Sequence, residues 1–185
     1  MYKVFISGII IGLLMFVIYM YNRLLRYRVL VQEAYSGMDI QLKKRYDLIP
    51  DLVASIKGYM EYEEGTLNSV ISARQDAVQA KEISEQQNAE QQLNSALTRM
   101  FALAEQYPTL KASQNFLHLQ NELGDIEDTI EKSRRYYNGS VREYNYAIQS
   151  FPQNIIANIF KFKRRNFFEL NHTQHRISPG ISFDS

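Results

Sequence analysis

The sequence predicts an all-α protein: an N-terminal transmembrane helix followed by an elongated antiparallel four-helix bundle with coiled-coil-like packing. Three observations predict it. Val4 to Tyr21 is apolar and uncharged. Beyond it, apolar residues recur at steps of three and four, the spacing of one helix face. The strongest β-branched run lies inside the apolar N-terminus, so no strand pattern competes. The chain divides accordingly into an anchor over 1–21, a bundle domain over 22–170 and a disordered polar tail over 171–185.

The anchor comes first. Its eighteen residues span roughly 27 Å as a helix, close to the ~30 Å hydrocarbon thickness of a bilayer. The apolar run is followed by Tyr21, Asn22, Arg23, Leu24, Leu25 and Arg26. Small residues suited to signal cleavage are missing there, so an uncleaved anchor is expected. Arg23, Arg26 and Arg28 lie just after the span, and Lys3 with the amino terminus before it. That cation excess predicts a single-pass cell-membrane protein with its N-terminus outside and its bundle cytoplasmic.

A first long stripe follows: Val31, Tyr35, Met38, Leu42, Tyr46, Ile49, Val53, Ile56, Met60, Leu67 and Val70. Pro50 falls inside it and predicts a kink near Asp47 to Pro50. The stripe keeps its phase there, which favours one kinked helix over two. Asp47 capping a new helix, with Pro50 in its first turn, is the alternative. Gly58 and Gly65 lower helix propensity without turn chemistry beside them, so helix is expected to about Ala80. After a polar link at Lys81 and Glu82, Ser84 is a candidate N-cap. Ala89, Leu93, Ala96, Met100 and Leu103 then form a stripe that ends near Glu105, before Tyr107-Pro108.

Ser113 begins the cleanest segment, running through Phe116, Leu119, Leu123, Ile126, Ile130, Tyr137, Val141, Tyr144 and Ile148 to Ser150. Its 38 or so residues imply a rod of about 57 Å. Gly139 in its middle is expected to admit a closely packed neighbour. Asn154 can cap a final helix carrying Ile155, Ile156, Ile159, Phe160, Phe162 and Phe167, with Lys161, Lys163, Arg164 and Arg165 as its charges.

Composition excludes several activities. Among 185 residues the net charge is +1 and cysteine is absent. Thiolate nucleophiles, disulfides, zinc ribbons and iron–sulfur clusters are therefore excluded. The thirteen tyrosines fall largely on the stripes without a basic groove, which fits core packing and no nucleic-acid partner. Inward Glu-x-x-His pairs for a di-iron centre are absent, as are a glycine-rich phosphate loop and a serine triad. His172-x-x-His175 lies in the polar tail with few acidic neighbours. Asn138-Gly139-Ser140 and Asn171-His172-Thr173 fit a glycosylation sequon, the first inside a predicted helix. The expectation is a non-enzyme with no cofactor, no catalytic or metal residue and no small-molecule substrate.

Three groups are candidate contacts. Lys43, Lys44, Arg45 and Asp47 could dock an acidic partner, or form a solvated face with pairs such as Asp39 to Lys43. Tyr137-Asn138 and Tyr144-Asn145 repeat at seven residues, so both asparagines share one face. Asn138 and Asn145 could form a polar recognition ridge, or fix register beside core tyrosines. Phe160, Lys161, Phe162, Lys163, Arg164 and Arg165 form a candidate membrane-surface helix, or a closing helix of the bundle.

Several runs stand out in order: Ala34 to Val53 (AYSGMDIQLKKRYDLIPDLV), Ile56-Lys57-Gly58-Tyr59, Ala73-Arg74, Tyr107-Pro108 with Leu110-Lys111, Asn115-Phe116 leading to Glu122-Leu123, Tyr137-Asn138, Val141, Tyr144-Asn145, Phe151-Pro152 and Phe167-Phe168. Taken together these runs resemble the LemA family of membrane-anchored helical proteins. They cover about residues 21 to 168. The resemblance implies one N-terminal span and a four-helix bundle, and it supplies no reaction. Tyr35 stands where the family usually has tryptophan. Asp51 stands where asparagine is usual and adds a negative charge beside Pro50. The functional expectation is a membrane-anchored scaffold with the bilayer and a protein partner or itself as partners. The alternative is a membrane-surface or membrane-shaping protein that uses a basic aromatic C-terminal helix.

Overall fold

The computed structural model describes residues 1–60 and 63–169. The tail over 171–185, with His172, His175 and the Asn171 sequon, lies outside the described residues. Those described are helical with no strand among them. The elements are α1 (Tyr2–Lys57), α2 (Glu64–Gln79), α3 (Ile83–Ala104), α4 (Pro108–Lys111), α5 (Gln114–Gln149) and α6 (Gln153–Ile159).

α1 is one helix of 56 residues that runs through Pro50. Its first part is apolar on every side and, apart from the half-buried Val17, exposed from Val4 through Tyr19. From Leu24 onward it buries a seam: Leu24, Val31, Met38, Arg45 and Leu52 recur at seven residues, with Leu42, Ile49 and Ile56 beside them. That repeat is what long packed helices need to keep one face on a partner. The described residues contain this one helix long and apolar enough to cross a membrane.

Proline cannot donate to the carbonyl four residues earlier, so Pro50 leaves the Tyr46 carbonyl free within α1. Arg74 of α2 reaches across and donates from Nε to that oxygen at 2.5 Å. A buried orphan acceptor is thereby removed, and the helix continues through the proline.

Past Ile56 the helix does not reach Ala80, as the stripe had suggested. It closes at Lys57 with Gly58 as its C-cap. α2 restarts the pattern and packs on both α1 and α3. Met60, Leu67 and Val70 kept the apolar spacing because both segments bury the same core. α3 is capped by Glu82 rather than Ser84: Glu82 and Glu85 form a reciprocal capping box. α5 runs from its N-cap Ser113 to its C-cap Ser150, as expected.

α1 packs chiefly along α5. Tyr35 stands against Tyr137 at 5.8 Å between ring centroids, and Arg45 lies 3.8 Å from Glu127. Partner numbers fall along α5 as they rise along α1, ten residues for ten. The end of α5 therefore lies about level with Arg23, just past the apolar span.

Three further expectations are corrected. α6 ends at Ile159, so Phe160 to Arg165 are not helical. Asn154 lies within α6 rather than capping it, and its Oδ1 is buried without a partner. Gly139 admits no close neighbour either: a Cβ built there meets nothing within 4 Å.

Candidate functional site

The segment after α6, here called the strap (residues 160–169), turns at Phe160 and Lys161 and then lies along α5 in the opposite direction. α5 holds it with the two Tyr-Asn pairs. The Asn145 side chain donates to the Arg165 carbonyl at 2.8 Å and accepts from the Arg165 amide at 2.9 Å. Asn138 does the same to Phe168, at 3.0 and 2.8 Å. The Tyr144 hydroxyl donates to the Lys163 carbonyl and the Tyr137 hydroxyl to the Asn166 carbonyl, each at 2.9 Å. Gln87 of α3 adds a bond to the Phe167 carbonyl at 2.8 Å.

The spacing has a geometric cause. Seven residues advance a helix about 10.5 Å, and three residues of extended chain advance about 10 Å. A pair repeated every seventh residue on α5 thus meets every third residue of the strap, with both asparagines in bidentate contact. Every one of these bonds goes to strap backbone. Burial raises the ionisation of both Tyr137 and Tyr144 above the usual tyrosine value, which keeps them as donors. Asn138 and Asn145 thus fix the register of the chain's own strap on α5, with the amide nitrogen and the oxygen of each side chain engaged there.

The second polar group is buried. Arg45 on α1 is 3% exposed and Glu90 on α3 is 1% exposed. Arg45 pairs with Glu90 and donates to Asn94 at 2.8 Å. The Tyr46 hydroxyl donates to the other Glu90 oxygen at 2.5 Å. Burial, then the Glu90 charge, raises the Tyr46 hydroxyl above its ordinary value, so it remains a donor. Tyr35 extends the same α1–α3 line by donating to Gln86 at 3.0 Å. Beside this cluster is a cleft of about 750 Å³ whose lining includes Glu127, Arg134 and Phe168. Burial raises Glu127, with Arg45 opposing, and lowers Arg134.

The sequence candidates thus separate. Lys43, Lys44 and Asp47 are exposed on α1, while Arg45 points into the core and is removed from any surface contact. Lys161, Lys163, Arg164 and Arg165 are exposed on the strap, and Phe162 is half-buried. Glu90, Gln87 and Arg74 were missed. A signal existed for Arg45: it falls on the seven-residue repeat of buried Leu24, Val31, Met38 and Leu52. Among the described residues no group of three or more His, Asp or Glu could hold a metal ion.

The sequence matches the LemA family over residues 34–183. The chain belongs to the LemA family. Its relatives include the magnetosome protein MamQ of Magnetospirillum gryphiswaldense, 26% identical over 85% of this chain and 70% of that protein. MamQ 1 of Paramagnetospirillum magneticum is 37% identical over a shorter stretch, 40% of this chain and 28% of the relative. Protein LemA of Metamycoplasma hominis is 29% identical over 74% of this chain and 63% of its own length. LemA membership and the bare apolar start of α1 together support a membrane-associated protein.

Proposed function

We propose that this LemA protein is a non-enzymatic scaffold, tethered by a single span and holding a protein-binding face beside the cell membrane. The observation that carries the reading is α1 itself. It contains the apolar span and the bundle's seven-residue seam without a break. A domain joined to its anchor by a continuous helix keeps one height and one heading above the bilayer. In this reading α1, α2, α3 and α5 form an antiparallel four-helix bundle with coiled-coil-like packing. The opposed numbering of the Tyr35–Tyr137 and Arg45–Glu127 contacts supports that. The exposed α1 face at Lys43, Lys44 and Asp47 is the proposed contact, for a protein partner or a second copy. Arg23, Arg26 and Arg28 set the bundle on the cytoplasmic side and the N-terminus outside.

Two measurements test this. A photo-crosslinking side chain at Lys43, Lys44 or Asp47 in intact membranes should give a discrete protein adduct. An adduct of twice the chain's own mass indicates self-association, and lipid adducts alone would defeat the scaffold reading. The chain has no cysteine, so Ser95→Cys, on the exposed side of α3, reports topology. An impermeant maleimide should label it only after lysis; labelling of intact cells reverses the orientation.

A further inference from the structure

The first and last helices meet at the foot of the bundle. Of the first twenty-one residues, only Val17, Met20 and Tyr21 are not exposed, and they lie on one side of α1. α6 packs against α1. The Phe160 ring lies 4.8 Å from that of Tyr21, and Phe162 lies 5.9 Å from it. Val17 is about 6 Å inside the end of the apolar span. The α6 end of the chain therefore overlaps the span's last turn instead of standing clear of it.

The outward side of this end is apolar. Phe151 is 81% exposed, Ile155 51% and Ile159 64%. Ile155 and Ile159 are four residues apart and share a face, while Ile156 and Ala157 are buried on the other. The charges around it have one sign. Residues 1–32 and 144–168 contain no Asp or Glu. Three exposed arginines, Arg23, Arg26 and Arg28, lie on α1, and four exposed cations occupy 161–165.

We propose that α6 is a second membrane contact, a short amphipathic wedge that lies in the anionic leaflet beside the end of the span. Ile155, Ile159 and Phe151 enter the boundary between headgroups and acyl chains, and the strap cations meet lipid phosphates. The proposal rests on α1 spanning the bilayer. It names a lipid surface and not a second copy, because two such ends would bring seven cations against seven with no acid between them. It also differs from a basic aromatic helix: the inserted residues are on α6 and just before it, and the cations are on the non-helical strap.

The test uses the full-length chain in vesicles of phosphatidylcholine with phosphatidylglycerol. Nitroxides are placed singly at Ile155→Cys and Ile159→Cys, with Ile10→Cys as the span reference and the exposed Ser95→Cys as the water reference. Each spectrum is read with oxygen and with a water-soluble nickel complex. The expected result is loss of nickel broadening at 155 and 159 relative to Ser95→Cys, with retained oxygen broadening as at Ile10→Cys. Full nickel access at 155 and 159 with Ile10→Cys shielded overturns the wedge and leaves the tether standing. Nickel access at Ile10→Cys overturns both. Spin–spin broadening between copies at 155 or 159 overturns the choice of lipid as the occupant. Equal shielding in vesicles without phosphatidylglycerol overturns the anionic preference.

Discussion

Arg74 replaces a hydrogen bond that Pro50 cannot make. Removing its reach with Arg74→Met leaves the Tyr46 carbonyl unpaired inside the α1–α2 contact, which should cost about 1–3 kcal/mol. Chemical denaturation would show it as a lower midpoint with an unchanged slope. Gly139 works the other way. It sits mid-helix with open space where a Cβ would stand, so Gly139→Ala should stabilise by about 0.5–1 kcal/mol, measured in the same assay. Little of this was legible beforehand. A proline in an unbroken stripe signals a kink but not the side chain that completes it, because Arg74 lies 28 residues away. Arg45 was legible in part. Its place on the heptad of Leu24, Val31, Met38 and Leu52 marks a buried seat, but its charge suggests water until Glu90 is found opposite.

Between elements, the α1–α3 link depends on that pair. Glu90→Leu alone leaves Arg45 charged and buried, with the more distant Glu127 at 3.8 Å as its remaining carboxylate, and strips the Tyr46 hydroxyl of its acceptor, at a cost of about 3–5 kcal/mol. Adding Arg45→Met should recover more than half of the loss, because a buried pair gives little net stability over apolar residues of similar size. A thermal or denaturant double-mutant cycle reads this directly. For the strap, Asn145→Ala deletes both bonds to Arg165 and should speed amide hydrogen exchange there, with a loss of about 1–3 kcal/mol. The tyrosines add a pH limit. Their ionisation is raised in the folded state, so the stability they contribute is complete below the ordinary value of 10.0 and is lost as pH rises through the raised values. A nitroxide at the exposed Asn166→Cys should sharpen only as pH rises beyond 10.0, through the raised values, and Tyr137→Phe with Tyr144→Phe should abolish that step. The α5 stripe was legible to within a residue at both ends, since one face of a long helix repeats many times. The strap was not. Phe160 closes α6 and Lys161 turns the chain, but the phenylalanines and four cations of 160–165 gave a helical-looking amphipathic pattern over too few turns to decide.

At the scale of the molecule, the apolar start and the long stripes announced an anchored helical protein, and the LemA motifs agreed with that. Register between helices was beyond reach, because a stripe identifies a buried face without naming its neighbour. The strap's route followed from partners set 19 to 30 residues apart along the chain. The length of α1 has a mechanical consequence. A tether without a joint is a lever. Between Tyr21 and Lys57 it extends about 54 Å, so a change of about ten degrees in the span's tilt sweeps the far tip through about 9 Å. With the apolar start of α1 spanning a bilayer as proposed, thinning or thickening by a few ångströms would be read out as displacement at the Gly58 end, far from any lipid.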